Sequence, residues 1–134
     1  MTHIFAYGSL MIPAVMRAVT GRSFLSISAS LRDYARYSVR GASYPGIIQE
    51  KGVVTPGILY LGLDHHAVKM LDEFEGEWYE RTPVDTETGE GRILRAETYL
   101  FKPQHLLTKE AWDLETFKSK HLRAFMENDK GLHE

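Results

Sequence analysis

The chain has 134 residues, 43% of them hydrophobic and 25% charged, which is the size of one compact domain able to bury a real core. Sixteen basic and eighteen acidic side chains give a net charge of −2 with both signs interspersed, so a phosphate-binding basic arm is absent and nucleic acid is not an expected partner. The lack of cysteine excludes disulfide stapling, thiolate catalysis and cysteine-based zinc sites.

Residues 1–7 show no charged leader followed by an apolar run, so no signal peptide is expected. Ile4 to Tyr7 form a short apolar run ending at Gly8-Ser9, the pattern of a strand entering a tight turn. Pro13 suits the first position of a helix, where its missing N–H costs nothing. Ala14, Val15, Ala18 and Val19 supply an apolar side before Gly21 ends that helix. A strand, a Gly-Ser turn and a helix start in close succession are either an ordinary turn or a concavity of backbone N–H groups able to hold a carboxylate. The turn is too short for a phosphate loop of the Gly-x4-Gly-Lys-Ser/Thr type, which occurs nowhere in the chain.

From Ser23 to Gly41 the residues alternate. Leu31, Asp33, Ala35, Tyr37 and Val39 share one parity, and Arg32, Tyr34, Arg36, Ser38 and Arg40 the other. This predicts a half-buried strand with an arginine-bearing outer face. Tyr44-Pro45-Gly46 reads as a turn or a strand edge. Ile47-Ile48 and Val53-Val54 flank a polar segment and predict a hairpin, after which Gly57 to Leu61 reads as a buried strand.

Asp64 is the expected N-cap of the next helix, and Ala67, Met70, Leu71 and Phe74 define its buried stripe. The helix closes in the segment Leu71-Asp72-Glu73-Phe74-Glu75-Gly76-Glu77-Trp78-Tyr79-Glu80-Arg81. At roughly 100° per residue, Glu75 projects between Val68 and Leu71 at the edge of the stripe, whereas Glu73 faces water. Two readings follow. A carboxylate partly removed from water has a raised pKa and can serve as a general base. Equally, Glu75 can be a plain C-terminal helix residue beside a capping Gly76, mildly disfavoured by the helix dipole.

Residues 78–85 and 93–101 predict two strands joined at a polar tip over 87–91, with Pro103 ending the second. Thr108 to Met126 carries a helical pattern, with Trp112, Leu114, Phe117, His121, Leu122 and Phe125 available for packing, and residues 127–134 read as a frayed polar tail. Strands outnumber helices and most loops are too short for repeated parallel crossovers. The expected fold is α+β: a single domain over residues 1–134 in which a small mixed, mainly antiparallel β-barrel carries flanking helices.

Tyr7-Gly8-Ser9-Leu10 together with Leu71-Asp72-x-Phe74-Glu75-Gly76-x-x-Tyr79-x-Arg81 resembles the gamma-glutamylcyclotransferase-like family, in its plant avirulence-induced branch. The Tyr44-Pro45 turn and the tail from Trp112 to Leu122 are similar to elements of that branch, so the resemblance spans nearly the whole chain. It implies the family's small mixed barrel. It also implies Glu75 as catalytic acid/base, and the N–H groups of Gly8, Ser9 and Leu10 as holders of a substrate α-carboxylate, with Tyr7 and Tyr79 lining the pocket. The implied reaction is intramolecular aminolysis of a small γ-glutamyl compound, giving 5-oxoproline and a released amine or amino acid, with no cofactor. Glutathione is less favoured, because the enzymes dedicated to it carry a different surrounding pattern.

The residues suit that chemistry. The substrate supplies its own nucleophile, the α-amine, so neither a Ser/Cys nucleophile nor a triad is needed; a base is, because an ammonium group cannot attack. Other candidates are weaker. His65-His66 are helix neighbours that do not face each other and make a poor metal pair, and the remaining histidines lack ligand spacing. Ser9 lacks a Gly-x-Ser-x-Gly elbow. Arg32, Arg36 and Arg40 read first as a solvated strand face, although one of them could reach a substrate carboxylate. A non-catalytic small-molecule binding or interaction module on the same fold is the alternative function. No apolar stretch approaches the roughly 20 residues of a membrane span, so neither a membrane nor a metal is expected as a partner and the cytoplasm is the expected compartment. Oligomeric state and the identity of the leaving amine stay open.

Overall fold

The computed structural model describes residues 1–129. In chain order these form β1 (Thr2–Ala6), α1 (Pro13–Thr20), β2 (Ser26–Val39), β3 (Pro45–Leu63), α2 (His65–Glu75), β4 (Tyr79–Thr88), β5 (Ile93–Phe101), β6 (Leu107–Ala111), α3 (Leu114–Lys120) and α4 (Leu122–Asp129), with 3-10 turns at Ser9–Met11 and Gln104–Leu106. Strands pair in the order β3-β1-β5-β4-β2, and β2 pairs back onto β3, closing a five-stranded barrel. Among the described residues only β1–β5 is a parallel pair, with Ile4 opposite Glu97; the other pairings are antiparallel. The expected mixed barrel with flanking helices is therefore the fold.

Two apolar clusters divide the core. Phe5, Leu31, Ile47, Leu59, Val84 and Ala96 come from strands alone and fill the barrel. Ile4, Leu63, Leu71, Met16, Val19 and Phe117 join the outer barrel wall to the helices. Strand β1 contributes to both, since alternate side chains leave a strand on opposite faces. That is why Ile4-Phe5-Ala6-Tyr7 is a continuous apolar run rather than an alternating one. The first helix begins at Pro13 and ends at Gly21 as expected. Asp64 caps α2 through Oδ1, which accepts from the Ala67 N–H at 2.9 Å.

Five expectations need correction. The predicted hairpin around residues 49–52 is absent: β3 is one long strand, with Ile47 and Ile48 opposite Arg36 and Ala35, and Val54 opposite Arg32. Both apolar pairs therefore continue along the same partner, and the polar residues between them bulge out. Asp33 sits opposite that bulge rather than on the buried parity. Its φ is 67°, in the left-handed region that aspartate tolerates better than most residues, and its Oδ1 accepts the Gly52 N–H at 2.9 Å across the β2–β3 pairing.

The helix expected over residues 108–126 starts only after Trp112, because β6 pairs with β2 (Tyr37 opposite Ala111, Val39 opposite Leu107). Asp113 then caps α3 by accepting from the Thr116 N–H at 2.9 Å, and His121 separates α3 from α4. Of the expected frayed tail, residues 127–129 belong to α4, and residues 130–134 lie outside the described residues. Finally, Arg36 does not belong to a solvated face. Arg32 is exposed and pairs with Glu87 at 2.8 Å, but Arg36 turns inward, its Nη1 donating to the carbonyls of Tyr7 (2.9 Å) and Pro56 (3.3 Å). No helix of the described residues is long and apolar enough to cross a membrane.

Candidate active site

At one end of the barrel a cavity of about 420 Å³ opens where the end of β1, the start of β3, the end of α2 and the start of β4 meet. Tyr7, Gly8, Ser9, Leu10, Glu75 and Tyr79 all line it, so the structure brings together every site residue singled out in the sequence. Two segments more than 60 residues apart in the chain thus face one space.

The β1 end is held by four hydrogen bonds. In the turn Ser9–Met11 the Met11 N–H donates to the Gly8 carbonyl (2.9 Å) and the Ile12 N–H to the Ser9 carbonyl (3.0 Å). This leaves the N–H groups of Gly8, Ser9 and Leu10 outside the turn's own ladder, as at any helix start. The Tyr60 hydroxyl donates to the Leu10 carbonyl at 2.6 Å, and Arg36 holds the Tyr7 carbonyl. Because a peptide unit is planar and trans, a Tyr7 C=O drawn toward Arg36 sends the Gly8 N–H the opposite way. Space favours glycine here: a Cβ on residue 8 would meet the Pro45 ring at 3.0 Å, so the ring would have to give way. Pro45 in turn is tied to β4, its carbonyl accepting the Tyr79 hydroxyl at 2.8 Å. The Tyr44-Pro45 element is the wedge between the two halves of the site.

The α2 end carries the carboxylates. Asp72 stands one turn before Glu75, and its fate is settled by neighbours. It accepts from Arg81 Nε at 2.9 Å and from the Tyr99 hydroxyl at 2.7 Å, while Arg81 also pairs with Glu97. The Asp72–Arg81 ion pair explains why those two residues occur nine apart around a helix end and a strand start. Among the described residues, no ion pair or hydrogen bond gives Glu75 such support. The nearby hydroxyls donate elsewhere, Tyr99 to Asp72, Tyr7 to the Tyr99 carbonyl (2.5 Å) and Tyr79 to Pro45.

Burial, and secondarily the charge of Asp72, push the Glu75 carboxyl up from 4.5 to about 8. Although Glu75 retains some accessible surface, that surface faces the cavity, where protein atoms surround it on most sides. Tyr7 and Tyr79 are raised above their ordinary 10, both by burial first and with Glu75 contributing, so both stay neutral hydroxyls at physiological pH. The arrangement offers a carboxyl poised near neutrality, a set of backbone N–H donors, and walls of aromatic rings.

Sequence reasoning missed several contributors. Tyr44, Phe74, Trp78, Tyr99 and Phe125 supply rings to the walls, and Glu77 a second carboxylate. Phe125 arrives from α4 and meets Phe74 edge-on at 6.0 Å. Asp72, Arg81 and Tyr79 all stand in the segment read as a motif, so their mutual spacing was the available signal. Arg36 had none, because an alternating arginine looks the same whether its tip turns in or out. His65 and His66 are exposed on α2, and no metal-holding group of His, Asp or Glu occurs among the described residues.

Comparison with known proteins gives a consistent picture. The family model described as gamma-glutamyl cyclotransferase, AIG2-like, matches residues 4–117. AIG2-like protein D of Arabidopsis thaliana is 33% identical over 138 residues, covering 100% of this chain and 90% of that protein. A solution structure of an Arabidopsis thaliana protein superposes with a TM-score of 0.74 at 26% identity, over 98% of this chain and 81% of that one. A structure named gamma-glutamyl cyclotransferase gives a TM-score of 0.68 at 17% identity, covering 99% and 88%, and shares the fold.

Proposed function

Because the chain belongs to the gamma-glutamyl cyclotransferase, AIG2-like family, we propose that it cyclises the γ-glutamyl group of a small γ-glutamyl amine or amino acid to 5-oxoproline and releases the amine, with Glu75 as general acid/base. The observation that carries this reading is a carboxyl raised to about 8 in the same cavity as the free N–H groups of the Gly8–Leu10 turn.

The substrate's α-carboxylate lies on the N–H groups of Gly8, Ser9 and Leu10, where partial positive charge favours an anion. Its α-ammonium then faces Glu75, with Tyr7 and Tyr79 closing the sides. Glu75 in its carboxylate form takes one proton from the ammonium, and the freed amine attacks the γ-carbonyl carbon. A carbon–nitrogen bond forms, and the proton held on Glu75 passes to the departing nitrogen as the γ-amide bond breaks. The second proton, shed by the newly acylated ring nitrogen, also ends on the released amine, which leaves as its ammonium. Proximity supplies much of the acceleration, since nucleophile and electrophile share one five-membered closure. The general acid/base contributes a further factor of about 10² to 10⁴.

A raised pKa fits a group that must both take and return a proton near neutrality. The test is a 5-oxoproline assay over a panel of γ-glutamyl amino acids and γ-glutamyl amines. Product from at least one class supports the reading. Silence across the panel in folded protein, with binding of the same compounds retained, replaces it with a non-catalytic binding module.

A further inference from the structure

We propose that Trp112 is a positioning residue for the turn that holds the substrate's α-carboxylate: its indole fixes both Arg36 and the Tyr44-Pro45 wedge, and through them aims the Gly8 N–H. The inference rests on the cyclotransferase reading in one respect, that the Gly8–Leu10 turn holds that carboxylate.

Two arms leave one ring. Trp112 follows β6, where Ala111 lies opposite Tyr37, and the antiparallel register carries it alongside Arg36. The Arg36 Cζ stands 5.4 Å from the centre of the indole, within the range of a cation–π contact. Burial lowers the Arg36 pKa, and the Asp113 carboxylate, next in the chain to Trp112, opposes that and favours the charged form. The guanidinium so held donates to the Tyr7 carbonyl at 2.9 Å. A charged donor on a peptide oxygen polarises that peptide's own N–H, here the one of Gly8. The second arm is the indole N–H, which donates to the Ser43 carbonyl at 2.7 Å. Ser43 stands two residues before Pro45, and a proline restrains its own φ and the residue before it, so fixing the Ser43 carbonyl fixes the wedge. That wedge carries the ring a Cβ on residue 8 would meet at 3.0 Å.

Trp112 is buried and is not among the described residues that line the cavity, so it acts on a substrate through these neighbours. A further ring contact, to Phe117 at 5.6 Å, belongs to the packing of the helices and gives it a plain core role as well. The two roles separate by experiment. Loosening a core weakens every property together. Misaiming one N–H weakens the grip on an anion and spares the acid/base at Glu75.

The test combines Trp112→Phe, which keeps a ring over Arg36 and removes the N–H, with Trp112→Leu, which removes both arms. Turnover is measured on the γ-glutamyl compound that the wild type converts fastest. Binding is measured by calorimetry on 5-oxoproline and on its uncharged carboxamide. KM should rise about fivefold in Trp112→Phe and about tenfold or more in Trp112→Leu, with kcat kept within about twofold. The preference for 5-oxoproline over the carboxamide should fall by the same factors. In an Arg36→Met background the cost of Trp112→Leu should shrink, because one arm is already cut. If neither variant folds, the wild type decides: the Trp112 indole N–H signal, told from that of Trp78 by means of Trp78→Phe, should shift more with 5-oxoproline than with the carboxamide. Loss of kcat at unchanged KM, equal loss of both ligands, or an indole signal indifferent to 5-oxoproline overturns the positioning role and leaves the cyclotransferase reading intact. A wild type that binds both ligands alike takes the carboxylate off the turn and overturns the role as well. No turnover of any γ-glutamyl compound, with the anion preference present in the wild type and lost in the variants, overturns the reaction and keeps the positioning role.

Discussion

Replacing Glu75 by glutamine should change how stability depends on pH, and the change can be worked out from the structure. In the folded chain the carboxyl is raised from 4.5 to about 8, so between those values the native state holds a proton that the unfolded chain has released. Stability is fully present below the unfolded value and is lost as pH rises through the folded one. At 1.36 kcal/mol for each pKa unit the full interval amounts to about 5 kcal/mol. Because the carboxylate faces a cavity open to water, screening brings the expected span to about 2–4 kcal/mol.

Urea unfolding of both proteins at pH 5, 7 and 9 reads this directly. The wild type should lose about 2–4 kcal/mol relative to Glu75→Gln between pH 5 and 9, the other titrating groups cancelling in the comparison. Parallel curves for the two proteins would refute the raised pKa, and with it the argument that the cavity strips water from Glu75.

The same geometry fixes further outcomes. Asp72→Asn removes the negative charge one turn from Glu75 and leaves Arg81 less neutralised, so the Glu75 pKa falls and the rising limb of the kcat/KM profile moves to lower pH; an unmoved limb would exclude Asp72 as a cause. In the wild type that limb should lie near 8 for kcat/KM and lower for kcat, because a bound substrate ammonium favours the carboxylate form. Arg36→Met frees the Tyr7 carbonyl and with it the orientation of the Gly8 N–H, so KM should rise about tenfold with a smaller change in kcat, measured by steady-state kinetics on protein of unchanged circular dichroism. Tyr79→Phe leaves the Pro45 carbonyl without its hydroxyl donor and should cost about 1 kcal/mol in urea unfolding.

How much of this was legible in the sequence depended on the range of the interactions. The cap at Asp64, the Pro13 start and the Gly21 stop of α1, and the β4–β5 hairpin are set by neighbours in the chain, and residue types alone revealed them. Strand β3 was misread because its continuity is imposed by β2, whose residues run alongside both of its apolar pairs. The segment 107–111 carries an ambiguous pattern, and only pairing with β2 makes it a strand. Within the site, Glu75 stood out because a carboxylate at the edge of an apolar stripe is anomalous. Its raised pKa needed the cavity and Asp72, and Arg36 could be placed only once the Tyr7 carbonyl was located.

The central claim concerns Glu75, and a single comparison tests it most directly. Wild type and Glu75→Gln are incubated at pH 8 with whichever γ-glutamyl compound the wild type binds best, and 5-oxoproline and released amine are quantified together with affinity. A base at this position predicts equal amounts of the two products from the wild type, a fall of about 10² or more in the variant, and affinity retained within about tenfold, since the α-carboxylate stays on the Gly8–Leu10 turn. Normal turnover by Glu75→Gln would contradict the account and remove Glu75 from the chemistry.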